Sequence, residues 1–168
     1  LSAYLDAMVQ TLIASQTPDR HLGIDVPEDR GRAWDVWNIW YALTGLLSNY
    51  EARDHAASLE AARRGGEYLV RNYLPPRPRF DIFRGAWQGG CTVDALDQVV
   101  RLHGHTKQPG LLQMATHISE NYPLFPAMRA SGEVSLNHAY VVCAYLGGQV
   151  LYAQAANRPD ELSWVEAV

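Results

Sequence analysis

Apolar residues fall at helical spacing along nearly the whole chain. Leu1, Leu5, Met8, Val9, Leu12 and Ile13 follow the i, i+4, i+7, i+8 rhythm of an amphipathic helix, which Pro18 and the polar run to Arg32 end. A second helix is predicted from Ala33 to Tyr50. Trp34, Trp37, Trp40, Tyr41, Leu43, Leu46 and Leu47 make it apolar almost all round, which requires burial on most sides. After a break at Ala52–Asp54 comes a third helix to Tyr73, with Leu59, Ala62, Leu69 and Val70 on one stripe and Glu60, Arg63, Arg64 and Glu67 facing away.

Pro75, Pro76 and Pro78 forbid regular structure. A fourth helix is predicted from Thr92 to His103. Following a break at Gly104–Gln108, a fifth starts at Pro109, which suits a first helical turn, and runs to Asn121. Pro123 and Pro126 interrupt the chain again. A sixth helix, Leu136 to Ala156, is again apolar nearly all round, and Asn157–Pro159 turns into a seventh.

Amphipathic helices thus alternate with more apolar ones, outer then inner. Connections from outer to inner helices run about 14 to 18 residues and those from inner to outer about 3 to 5. In an up-down array the long loops gather on one rim, which also holds the N-termini of the inner helices. Loops on a rigid scaffold carry function, and helix N-termini offer free N–H donors. The expected fold is all-α: antiparallel helical hairpins forming about half of an (α/α)6 toroid, one partial domain over residues 1–168 that reads as cut at both ends. The alternative is an open helical-hairpin solenoid, whose loops are usually short.

Composition narrows the function classes. The 168 residues are 48% hydrophobic and 19% charged, with a formal net charge of −4 and scattered Lys and Arg, so no basic stripe argues for nucleic acid. No apolar run approaches the ~18 residues a membrane span needs, and no signal peptide is visible, which leaves a cytoplasmic location as the expectation. Cys91 and Cys143 match no metal spacing and read as small buried hydrophobes. His103 and His105 form an H-x-H pair with no third donor near in sequence, so no metal set is expected there. His21, His55 and His117 read as surface residues.

Several residues on the expected rim suit sugar recognition. Asp35 and Asn38 share one face of the first inner helix and can bond hydroxyls. Trp34 and Trp37 lie nearest the rim, where flat rings stack on sugar rings, whereas Trp40 reads as core. Trp87 and Gln88 lie in a Gly-rich loop where no local pattern requires them for packing. Asp94 and Asp97 form an i, i+3 acidic pair, and paired carboxyls are standard glycosidase equipment. Asp35 facing Asp94 across the barrel is the pair expected if this segment has its own chemistry. His138 opens the sixth helix on the same rim, with Glu133 and Tyr140 nearby.

The stretch Trp37 to Glu51, W-N-I-W-Y-A-L-T-G-L-L-S-N-Y-E, resembles an inner helix of the β-L-arabinofuranosidase family, the family 127 glycoside hydrolases, where a pattern like Y-N-x-x-K/H-x-x-x-G-L-x-x-x-Y-E is expected. Val93 to Leu102 resembles a second inner helix, and Asn137-His138-Ala139 with the helix after it resembles a third. The resemblance implies a glycoside hydrolase acting on a terminal sugar, with His138 a substrate-binding residue. It also implies a Glu acid/base and a zinc-bound cysteine nucleophile beyond Val168, so zinc belongs to the full enzyme and the catalytic residues lie outside this chain. Departures are plain: Gln88-Gly89-Gly90-Cys91-Thr92 stands where the family's second inner helix opens with a histidine, and Tyr41 stands where His or Lys is frequent. The substrate-binding set is then Asp35, Asn38, Trp37, Trp87, Gln88, Asp94 and His138. Another α/α-barrel sugar enzyme, an unsaturated-uronyl hydrolase or an epimerase-like isomerase, and a non-enzymatic binding scaffold are the rivals. Half a toroid exposes an apolar seam, which predicts pairing of two copies.

Overall fold

The computed structural model describes residues 2–32, 34–86, 89–123, 125–131 and 139–167, and among these the chain is helical with no strand. Trp87, Gln88, Glu133 and His138 lie outside the described residues. The helices are α1 (Ser2–Ser15), α2 (Asp35–Arg53), α3 (Ala56–Tyr73), α4 (Gly90–Val93), α5 (Leu96–Thr106), α6 (Pro109–Asn121), α7 (Phe125–Ser131), α8 (Ala139–Ala155) and α9 (Pro159–Ala167).

Helices α2, α5 and α8 pack side by side. Each is paired with the helix that follows it, α3, α6 or α9, and α3 adjoins α6. The two layers follow from the pattern: α2 buries Val36, Ile39, Trp40, Leu43, Leu46 and Leu47, and each such side chain removed from water stabilises by about 1.5–3 kcal/mol. In α3 the first part of the buried stripe is small (Ser58, Ala61, Ala62, Gly65, Gly66), which lets this helix sit close to its neighbours, and Tyr68, Leu69 and Tyr73 fill the second part.

The three short inner-to-outer turns share one device. Asp54, Lys107 and Asn157, about 50 residues apart, each adopt a left-handed backbone, with φ of 52°, 56° and 54°. Asp54 N–H returns to Tyr50 O, and Lys107 N–H to His103 O. A left-handed residue after the last turn satisfies a terminal carbonyl and reverses the chain, at a steric strain of about 1 kcal/mol for a non-glycine residue.

Four differences from the expected elements have physical causes. The fourth helix is broken: α4 ends at Val93, and Asp94 and Ala95 form a turn before α5. Gly89 caps α4 with a φ of +82°, and a Cβ there would lie 2.7 Å from Phe83 O. The proline-rich connection holds one 3-10 turn, Ile82–Arg84, because the Asp81 carboxylate accepts the Phe83 N–H at 2.9 Å. Pro126 starts a helix instead of breaking one, since the second position of α7 requires no N–H donor. Finally, α1 buries none of its residues; only Leu12 and Ile13 pack against the core, because α1 meets α2 and α3 from one side.

Candidate functional site

The N-terminal ends of α2 and α8 meet in an aromatic cluster. Trp37 is its centre: its ring lies 5.6 Å from Trp34, 5.1 Å from Trp40, 5.3 Å from Tyr41 and 5.6 Å from Tyr140, all edge-on or tilted. Tyr41 and Tyr140 join their hydroxyls at 3.1 Å, tying α2 to α8. Trp34, Tyr41 and Tyr140 are 45%, 50% and 43% exposed, whereas Trp40 is buried. Edge-to-face aromatic packing fixes ring orientation.

Trp40 ties this cluster to the acidic pair. Trp40 donates its Nε1–H to Asp97 Oδ1 at 2.9 Å; the backbone N–H of Gln98 donates to the same oxygen at 2.6 Å, and Gln98 Nε2 donates to Oδ2 at 2.8 Å. Burial raises the Asp97 pKa, and these donors offset only part of that. Among the described residues Asp97 makes no salt bridge; Arg101 is held by Gln98 Oε1 and Glu51.

Asp94 differs. It is 0% exposed, and neither carboxyl oxygen has a hydrogen-bond partner among the described residues. Burial, and then the charge of Asp97, push its pKa up to about 8. Its field reaches Cys91, whose buried thiol is pushed up to about 11, Tyr122, pushed up to about 12 mainly by burial, and the Tyr140 phenol. At neutral pH Asp94 is a carboxylic acid beside the ionisable Asp97.

Asp35 is not at the surface. It is 0% exposed, and its carboxylate accepts the Tyr73 hydroxyl at 2.7 Å, the Gly31 N–H at 2.8 Å and a bond from His21 Nε2 at 2.6 Å. Burial alone would push its pKa up; the bonds from His21, Tyr73 and Gly31 outweigh that and hold it below the usual carboxylate range. His21 is consequently buried, not a surface residue as its polar surroundings in sequence imply, and its ring lies edge-on to Tyr68 at 5.1 Å. The network clamps the long loop after α1 against α2 and α3. Asp35 is not paired with Asp94: its partners lie on that loop and on α3.

Asn38 turns the same way, its Nδ2 donating to Asp25 Oδ2 at 3.0 Å. Of the predicted set, Trp37 and Asp94 belong to the α2–α5–α8 junction, and Asp35 and Asn38 support the loop beside it. His21, Tyr73 and Asp97 complete these two arrangements. Nothing local in the sequence points to His21; for Asp97 the i, i+3 spacing from Asp94 was the signal.

The remaining candidates are dispersed. His103 Nδ1 faces Gln108 O and His105 Nε2 faces Glu51 Oε1, both at 2.9 Å, so the two rings serve different partners. His55 bonds Ser58 Oγ, and His117 is half-buried beside Phe83. Cys91 is buried, but Cys143 is exposed, because α8 turns that face away from α5. No group of three or more His, Cys, Asp or Glu among the described residues is arranged to hold a metal ion. No helix among them is long and apolar enough to cross a membrane.

No family model, no curated protein and no solved structure matches the chain.

Proposed function

We propose that this chain forms the sugar-binding wall of a carbohydrate-processing α/α-barrel, a glycoside hydrolase of the arabinofuranosidase kind, whose hairpins continue around a toroid and whose principal catalytic groups lie elsewhere in that barrel. The observation that carries the reading is the convergence of Trp37, Tyr41 and Tyr140 from two helices on Trp40, whose indole N–H holds Asp97. Exposed aromatic rings take the apolar face of a sugar ring, and carboxyl groups near them accept its hydroxyls.

Titration calorimetry with L-arabinose and methyl arabinofuranosides tests this. Saturable binding that Trp37→Ala weakens by about tenfold supports it, a loss of ~1.4 kcal/mol. No heat with any pentose at tens of millimolar counts against it.

An apolar groove of about 520 Å³, lined by Leu5, Met8, Val9 and Leu12 of α1 and by Gly45 and Ser48 of α2, favours a second reading. In that reading the chain is a helical-hairpin scaffold that pairs with a second copy along this edge. Light scattering that finds a dimer, dissociated by Met8→Glu, supports it; a monomer at all concentrations removes it.

A further inference from the structure

We propose that the groove between α1 and α2 is the seat of an apolar α-helix from a partner protein, which crosses α2 at Gly45 as α5 crosses α8 at Gly148. This stands apart from the sugar-site reading, and it gives the groove a different occupant from a second copy of the chain.

The order of the helices carries the first part of the argument. Each outer helix meets the inner helix that follows it across a long connection: α1 meets α2, α3 meets α5, and α6 meets α8. In two of these three places a further inner helix fills the angle between them. There α2 lies against both α3 and α5, and α5 lies against both α6 and α8. Between α1 and α2 the described residues leave an open groove of about 520 Å³.

The glycines carry the second part. Gly45 and Gly148 occupy the same place on α2 and α8, nine residues ahead of the left-handed Asp54 and Asn157. Gly148 is buried because α5 crosses there, and a Cβ on it would lie 2.9 Å from Leu96 Cβ. Gly45 is exposed, and a Cβ on it would find Leu12 Cδ2 nearest among the described residues, at 4.0 Å. The same place on α5 is Gln98, which is buried too, so Gly45 alone of the three is uncovered. Glycine inside a helix costs stability, and close approach of another helix is what it offers in return.

The lining says what kind of helix fits. Leu5, Met8, Val9 and Leu12 make one wall, with Gly45 and Ser48 on the other. Arg53, which also lines the groove, is already paired with Asp6 at 2.5 Å. An apolar wall over a small-residue floor suits a helix with aliphatic anchors at i, i+3, i+4 and i+7. The inner helices of a second copy are disfavoured as occupants. Each of them, α2, α5 and α8, carries an outer helix of its own, which would compete with α1 for the same position.

The test is fluorescence anisotropy of a labelled amphipathic peptide helix with leucine at i, i+3, i+4 and i+7, against a peptide of the same composition with the leucines scrambled. Saturable binding of the first peptide alone, weakened ~10-fold or more by Gly45→Leu, supports the inference. The variant keeps its fold, because Leu replaces Gly where nothing among the described residues is in the way. Met8→Glu, on the opposite wall, weakens binding likewise. No binding at hundreds of micromolar, or binding that neither variant weakens, overturns the inference and leaves the sugar site standing. Light scattering that shows a dimer dissociated by Gly45→Leu also overturns it, because a second copy then fills the groove.

Discussion

Trp40 on α2 donates its indole N–H to Asp97 on α5 at 2.9 Å, so one part-buried hydrogen bond joins the aromatic cluster to the acidic pair. The two residues lie far apart in sequence and on different hairpins. Whatever moves the aromatic cluster is thereby felt at the carboxyl groups, and the reverse.

Asp35 is the main anchor of the long loop after α1. Asp35→Ala strands the Tyr73 hydroxyl, the Gly31 N–H and His21 in a dry interior, and destabilises the fold by about 3 kcal/mol in urea titration. Its pKa is depressed on folding, so its stabilisation is present above the unfolded value of about 4 and is lost as pH falls below it. Melting temperatures measured downward from pH 5 fall in the wild type and fall less steeply in Asp35→Asn.

Asp94 acts with the opposite sign. The folded chain holds its proton up to about pH 8 while the unfolded chain releases it near 4, so folding becomes less favourable as pH rises between those values and levels off above them. Asp94→Asn removes that slope. The variant gains on the wild type by about 4 kcal/mol between pH 5 and pH 9, read from urea midpoints at each pH. A constant difference across that range contradicts the assignment.

The helices were legible from apolar spacing: α2 and α8 carry apolar residues almost all round and α3 carries a stripe, although α2 leaves Tyr41 exposed and α8 leaves Tyr140 and Cys143 exposed. The short turns were legible too, though Lys107 and Asp54 in left-handed conformations do not advertise themselves as glycine would. The buried His21–Asp35–Tyr73 network was not. Its members come from a loop and two helices, and the polar loop sequence gives no sign that His21 folds under it. The break at Asp94–Ala95 was hidden by apolar spacing that continues through it. That break is what leaves Asp94 buried but unbonded.

Gly148 and Gly147 are neighbours on α8 with opposite expectations. A Cβ on Gly148 would sit 2.9 Å from Leu96 Cβ and 3.1 Å from Asp97 N, where α8 crosses α5, so Gly148→Ala costs about 1–3 kcal/mol. A Cβ on Gly147 would meet none of the described residues within 4 Å, so Gly147→Ala stabilises by about 0.5–1 kcal/mol through helix propensity. Thermal melts of the two single variants check both signs.

The two cysteines differ in reactivity. Cys143 is exposed and is labelled by a maleimide in the native state, whereas Cys91, buried and with its thiol pushed up to about 11, reacts only after unfolding. Mass spectrometry of the native protein shows one adduct, on Cys143; a second on Cys91 would contradict the packing of α4.

The most direct measurement is a crystal structure of the chain soaked with a pentose. The account predicts density for a ring against the Trp37, Tyr41 and Tyr140 cluster that Trp40 joins to Asp97. Rings bound only elsewhere, as in the groove between α1 and α2, or an aromatic rim left bare, would contradict it.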